Sequence, residues 1–346
     1  LSRRQRQMCI RDSSLGMDMS LWQNRLNLSF NYYKSFVDHM LTLKTLGGVS
    51  GLRNYWSNDG KMENQGFDIS VTAKVLALKD FSWEISAGLG HYKNEVTALP
   101  DGDKPVYTSL YGGEVVTQVG GPVGLFYGYK TQGVFSTSED AAFAGLRDGR
   151  ADGDVFRGGD MHFADLVADG VIDEKDKTVI GDPNPDIFGN FGTSLHYKNW
   201  TLNAFFSYSL GNDIYNYQRA VLEGGSTYYN QTTAVLNRWT SEGQVTEIPR
   251  AELGDPMGNS RFSDRWIEDG SYLKLKTLSL SYRIPFNYTF LQGITVWAAA
   301  NNVFTCTKYL GSDPELSISS SAVGQGIDRG LLGRGRSFVL GVKINL

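Results

Sequence analysis

RLNLSFNYY, residues 25–33, places Leu26, Leu28, Phe30 and Tyr32 on one side of an extended chain and Asn27, Ser29 and Asn31 on the other. Side chains of a strand point alternately to its two faces, so this stretch reads as a strand with one apolar and one polar face. The same period returns in Phe67/Ile69/Val71/Ala73/Val75 against Asp68/Ser70/Thr72/Lys74, and in Phe81/Trp83/Ile85/Ala87/Leu89 against Ser82/Glu84/Ser86. It returns again in Trp200/Leu202/Ala204/Phe206/Tyr208 and in Phe338/Leu340/Val342/Ile344/Leu346. Working outward gives about nine strands, near 15–21, 25–36, 63–76, 81–94, 187–198, 200–209, 270–284, 293–301 and 335–346. Most approach ten residues, the length that a barrel strand tilted by about 45° needs to cross a bilayer.

The connections alternate between short and long. Trp22 to Asn24, Ala77 to Asp80 and Lys198/Asn199 are tight turns, and Pro285 to Gln292 is slightly longer; much longer segments lie between them. Outer-membrane barrels have short periplasmic turns and long extracellular loops, and ending the last strand in the periplasm puts every short turn on that side. An odd strand count leaves a barrel unclosed, because unpaired amides cannot face lipid. The expected fold is therefore an incomplete all-β, antiparallel transmembrane barrel. A soluble all-β domain with decorated loops is the alternative.

Composition agrees. The 346 residues include 40 Gly, 18 Phe, 18 Tyr and 7 Trp with only 20% charged, which favours strands and turns over charge-laced helices. The longest apolar run, Val296 to Ala300, is far too short for a membrane helix. A net charge of -4 with scattered basic residues offers no footprint for nucleic acid. Residues 1–13 (LSRRQRQMCIRDS) lack the apolar core of a signal peptide and read as a non-native leader, like a translated sequencing-adapter scar, which leaves 14–346 as the barrel portion. Cys9 and Cys306 build neither a disulfide framework nor a metal motif.

Within Tyr272 to Arg283 the apolar residues slip from Leu273 and Leu275 to Leu278, Leu280 and Tyr282, which predicts a β-bulge near Lys276/Thr277. Leu273 and Leu275 lying above the membrane would explain the slip equally well.

One stretch has metal character. In DLVADGVIDEKD, Asp165, Asp169, Asp173 and Asp176 with Gly170 follow the spacing of an EF-hand calcium loop, although Val167 fills an oxygen position and Asp176 stands where a longer Glu is usual. The competing expectation is a loop whose carboxylates cap its own turns. No catalytic centre is expected: His39, His91, His162 and His196 form no metal pair, and neither a GxSxG elbow nor a Walker loop occurs. The pairs Gly47/Gly48, Gly112/Gly113, Gly120/Gly121, Gly158/Gly159 and Gly224/Gly225 fall in the long segments and read as turns. Tyr32, Tyr33, Phe67, Trp83, Tyr197, Trp200, Phe206, Tyr272 and Tyr282 read as interfacial girdles. Tyr107, Tyr111, Tyr228, Tyr229 and Trp239 read as surfaces for sugar rings or a lid protein.

Four segments carry a family resemblance: RFSDRWIEDGSYLKLKTLSLSYRIP (261–285), NNVFTCTKYLGSDPE (301–315), VGLFYGYKTQGVF (123–135) and GIDRGLLGRGRSFVLGVKINL (326–346). In order and spacing they resemble the closing barrel segments of SusC/RagA-type TonB-dependent outer-membrane transporters of Bacteroidota. The resemblance implies about nine C-terminal strands of a barrel of about 22 that encloses a plug. It implies energy from the TonB–ExbB–ExbD complex through an amino-terminal region outside these residues, and a SusD-like lipoprotein lid that captures glycans or peptides. It also implies outer-membrane lipid around the barrel and no enzymatic activity. Leu331/Leu332/Gly333 and the final Leu346 depart from the family's Tyr-Pro and terminal Phe.

The expected function is thus part of a nutrient importer with a conformational mechanism, its path lined by Asn27, Ser29, Asn31, Asp68, Ser70, Thr72, Lys74, Ser82 and Glu84. A secreted carbohydrate-binding or adhesin domain and a glycan-acting enzyme are the rivals. An uncovered apolar band on the strands would speak against both.

Overall fold

A computed structural model describes residues 9–45, 54–150, 154–285, 293–319 and 321–345. Residues 1–8, Gly47/Gly48, most of the 285–292 turn and Leu346 lie outside the described residues. Nine long strands form one sheet: β1 (Cys9–Leu21), β2 (Leu26–Thr45), β3 (Asn54–Ala77), β4 (Phe81–Ala98), β5 (Ile187–Tyr197), β6 (Trp200–Leu210), β7 (Tyr272–Ile284), β8 (Gly293–Thr307) and β9 (Ser337–Asn345). They lie side by side in sequence order, all antiparallel, with β1 and β9 at open edges. This is the unclosed barrel wall that the alternation predicts.

Cross-strand pairing sorts the side chains by face. One row joins Leu21, Leu26, Ala73, Ile85, Thr193, Ala204, Leu278, Ala300 and Phe338 across all nine strands. Its one hydroxyl, on Thr193, accepts from Trp83 Nε1 at 2.8 Å. The adjacent row joins Ser20, Asn27, Thr72, Ser86, Gly192, Phe205, Thr277, Asn301 and Ser337 on the opposite face. Its polar groups bond sideways: Ser20 Oγ donates to Asn27 at 2.8 Å, and Asn301 Nδ2 to Ser337 Oγ at 3.1 Å. No second layer covers the apolar face among the described residues. Leu280 and Val296 on central strands are 44% and 43% exposed, and Leu340 at the edge 83%.

The bulge falls where the phase slip put it. Lys276 is skipped between Leu275 and Thr277 in the pairing of β7 with both β6 and β8. The extra residue keeps Leu273, Leu275, Leu278, Leu280 and Tyr282 on one face, whereas a strand without it would turn half of them inward. Gly189 meets a tighter requirement. A Cβ there would lie 2.1 Å from the Gly88 carbonyl, which accepts from the Tyr208 hydroxyl at 3.1 Å, so no larger residue fits.

Three expectations need correction. β2 and β3 continue far past residues 36 and 63, so most of the first long connection is itself a hairpin ladder. Beyond Tyr32 and Phe67 their apolar face acquires charges, among them the Lys34–Glu63 ion pair, so the alternation fades while the backbone pairing persists. β1, expected near 15–21, already begins at Cys9, where Ser35 Oγ donates to Asp12 at 2.5 Å and Arg11 pairs with Asp38 at 3.0 Å. Tyr33 and Tyr272 sit on the polar face, and the Tyr272 hydroxyl donates to Glu315 at 3.0 Å, so neither belongs to a girdle. Trp200 and Tyr282 do pair at the short-turn end, ring centroids 4.6 Å apart.

The long segments 99–186, 211–271 and 308–336 build a packed cap at the opposite end from the short turns. Asp213–Asn216 lies between Ile267–Asp269 and Ile327–Asp328, which ties the second segment to the third. Val106–Leu110, Gly113–Thr117, Leu125–Tyr129 and Lys177–Gly181 form a second small sheet within the first segment. One core gathers Phe135, Leu146, Phe156, Met161, Phe163 and Ile172; another gathers Val115, Phe126, Tyr215, Trp266 and Ile327.

Candidate functional site

Two surfaces are built for contact: the polar face of the sheet and the cap above it. On the polar face, Ser29, Asn31, Asp68 and Ser70 line a concavity of about 320 Å³ together with Gly88, Gly90, Phe188 and Asn190. Glycine at Gly90 leaves room for the Phe188 ring, which a Cβ would approach to 2.7 Å. Lys74 faces Glu84 across the β3–β4 pair, and Asn27 and Thr72 share the polar row. Ser82 lies near the turn, opposite Ala77 and His196. Amides, hydroxyls and a carboxylate beside one aromatic ring can hydrogen-bond and stack.

The bulged strand supplies the joint between wall and cap. Lys274 and Lys276, two residues apart and so on one face of β7, bring both ammonium groups to Glu315, at 2.8 and 2.5 Å, while Lys274 also donates to Asp313 at 2.8 Å. Burial pushes the Glu315 carboxyl up, but hydrogen bonds from the two lysines outweigh that and hold it below the ordinary range. The YLKLK strand thus meets the GSDPE segment.

Within the cap, Glu114, Tyr127, Tyr129, Arg150, Glu174, Lys177, Arg261 and Phe262 surround a second concavity of about 320 Å³. Lys177 donates to Glu114 at 3.0 Å and pairs with Glu174 at 2.6 Å. Behind it, the fully buried Asp148 accepts from Arg150 at 2.8 Å and pairs with Arg261 at 3.1 Å. Burial pushes its carboxyl up, yet the two guanidinium groups bring it below its usual value. Arg261 lies over the rings of Phe163 and Tyr129, 4.4 and 5.1 Å from their centroids. Burial and a hydrogen bond with Tyr107 push the Tyr127 phenol up to about 12, so it stays a neutral donor. None of these residues was singled out from the sequence, except Tyr107 as a loop aromatic. Asp148 and Arg261 belong to different loop segments, and no short motif joins them.

The loop aromatics divide. Trp239 Nε1 donates to the Ser136 carbonyl at 3.0 Å, and Tyr111 packs at a tilt against Tyr217, ring centroids 5.5 Å apart, so both serve the cap's own packing. Tyr228 and Tyr229 remain 88% and 73% exposed, open to a ligand or partner.

Asp165, Asp169, Asp173 and Asp176 lie in one loop, and each accepts backbone amides. Asp165 takes those of Ala168 at 2.7 Å and Gly170 at 2.8 Å, and Asp169 that of Val171 at 3.0 Å. Asp173 accepts from Lys175 N at 2.8 Å, while Asp176 takes Leu166 N and Asp173 N, both at 2.9 Å. Lys175 sits 3.3 Å from Asp173 and 3.7 Å from Asp169. Among the described residues no group of three or more His, Cys, Asp or Glu is placed to hold a metal. Calcium at these four carboxylates is thus a proposal with which the loop's own amides compete. Asp165→Asn is expected to weaken the loop by about 1–2 kcal/mol, read as faster amide exchange over 165–176. Terbium luminescence is expected to stay flat on titration; a saturable rise would establish the calcium site.

No protein-family model matches the chain. TonB-dependent receptor P3 of Formosa agariphila is 34% identical over 345 residues, 95% of this chain and 33% of that protein. TonB-dependent receptor SusC of Bacteroides thetaiotaomicron is 25% identical over 346 residues, 95% of this chain and 31% of its own length. Among solved structures, that of the RagAB peptide transporter superposes with a TM-score of 0.80 at 24% identity, covering 97% of this chain and 35% of that one, a likeness of fold. The chain therefore spans about one third of the curated relatives it matches.

Proposed function

We propose, from the premise that the chain is a relative of the SusC-type TonB-dependent receptors over about one third of their length, that it supplies wall strands and outer cap to an outer-membrane nutrient importer. One observation carries this: nine antiparallel strands with an uncovered apolar face, a polar face behind it, described tight turns at one end and a packed cap at the other. An uncovered apolar face this long is at home in lipid, where strands must pair side by side.

The polar face then lines the import path, and the cap's aromatic, mixed-charge concavity meets the nutrient before it enters. Amide, hydroxyl and ring groups suit oligosaccharides, and the paired charges of Lys177 and Glu174 beside Arg150 suit peptides as well. Exposed Tyr228 and Tyr229 offer a SusD-like lipoprotein flat apolar surface at the cap. Motion of a plug driven by TonB–ExbB–ExbD would open the path, so the mechanism is conformational and needs no reacting residue.

The test is uptake of fluorescent oligosaccharides and peptides by cells making the full-length protein, with and without TonB. Uptake of one class that disappears without TonB is the expected result. Equal uptake in both strains would overturn the proposal.

A further inference from the structure

Partway along the polar face the sideways hydrogen bonding stops. Toward the short turns Ser20 Oγ donates to Asn27 at 2.8 Å, and toward the cap Tyr92 and Asn94 each donate to Asn184 at 3.2 Å. In the concavity between them, Ser29, Asn31, Asp68, Ser70 and Asn190 make no side-chain hydrogen bond among the described residues. Asp68 has no ion-pair partner there either, and the titratable group that responds to its charge, Tyr33, is a phenol, neutral near pH 7. Phe188 stands in the same row as Gly90, Asp68 and Asn31. Its ring is 36% exposed although it lies on the polar face, and it packs T-shaped against Tyr92, centroids 5.9 Å apart. A Cβ on Gly90 would lie 2.7 Å from the Phe188 ring and 3.1 Å from Asp68 Oδ1, so ring and carboxylate flank one spot that only glycine leaves open.

The open groups are donors and acceptors in mixture: two hydroxyls, two amides and a carboxylate that accepts only. Sugar hydroxyls both donate and accept, so one ring can engage several of these groups while its C–H face lies on Phe188. A peptide backbone offers one donor and one acceptor per residue, spread over about 3.3 Å of chain, and matches the cluster less well. The carboxylate, with no cation beside it, repels acidic groups. We infer that this concavity is a subsite for an uncharged sugar ring, with Phe188 as its platform and Asp68 accepting from ring hydroxyls. The inference rests on the reading of this face as the import path and commits that path to neutral oligosaccharides, over peptides and over uronate or sulfated glycans.

The experiment purifies the full-length protein in mild detergent, confirms a folded barrel by heat-modifiable migration, and measures its retention on an array of neutral, uronate-bearing and sulfated oligosaccharides and of octapeptides. Wild type is expected to bind at least one neutral oligosaccharide. Phe188→Ala and Asp68→Asn are each expected to bind it roughly tenfold more weakly with unchanged migration and thermal unfolding. Binding of peptides or acidic glycans alone, binding of nothing, or equal binding by the two variants would each overturn the subsite. Variants that unfold at lower temperature yet bind as wild type would overturn it too, since another part of the full-length protein would then cover the concavity. Failure of the importer reading shows separately, as uptake that persists without TonB.

Discussion

Replacing Trp266 with Ala is expected to destabilise the cap by about 3–5 kcal/mol, the usual range for removing a large buried aromatic ring. The ring is fully buried and packs with Val115, Phe126, Tyr215 and Ile327, residues drawn from all three long segments. Its indole N–H donates to the Arg261 carbonyl at 3.1 Å, which fixes the turn that presents Arg261 to Asp148. Two guanidinium groups lie over the ring, Arg265 at 4.3 Å and Arg219 at 5.5 Å from its centroid. Burial, reinforced by the like charge of Arg219, already pushes Arg265 down to about 10. Without the ring, these two cations lose the aromatic surface over which each lies. Amide exchange across 211–271 and 308–336 should accelerate together, whereas Phe143→Ala, at a side chain 95% exposed, should change nothing. Local acceleration confined to 264–268 would mean that the segments fold independently.

Leu280→Arg is the second large effect. Leu280 lies between Leu202 and Ala298 on the uncovered face, and its neighbour Ser279 points to the polar face, opposite Asn203. Arginine on the lipid side of a barrel costs about 2–4 kcal/mol near the bilayer midplane, while the same residue on the polar side meets water. The folded fraction in lipid should fall by at least about tenfold for Leu280→Arg, since each 1.4 kcal/mol is a factor of ten, and stay near wild type for Ser279→Arg. Equal losses for both variants, or the reverse order, would show the faces to be assigned wrongly.

Much of the wall was legible in the sequence because a strand's two faces are written at alternate positions, and a slip in that alternation locates a bulge. Leu275, Lys276 and Thr277 show the point: the slip named the bulge, although not the contact of Lys274 and Lys276 with Glu315, which lies 41 and 39 residues further along the chain. Where the environment of a face changes along a strand, the signal fades. The β2–β3 ladder continues beyond Tyr32 and Phe67, but Lys34, Asp38, Lys61 and Glu63 now stand where apolar residues stood, so the sequence resembles a loop. The cap was less legible still. Tyr215 finds its neighbours at Ile267 and Ile327, and Asp148 finds its at Arg261, through contacts between segments that are each too short to show a period. The Asp165–Asp176 spacing suits a cation loop and a self-capped turn alike, because both demand carboxylates beside a glycine at positive φ, here Gly170 at 78°.

The central claim is that the apolar face belongs in lipid, and folding of the chain with and without lipid tests it most directly. Circular dichroism and heat-modifiable migration should show aggregation in water and β-sheet only after lipid or detergent is added. A soluble monomer that melts cooperatively without either would contradict the claim and place the chain among secreted binding domains.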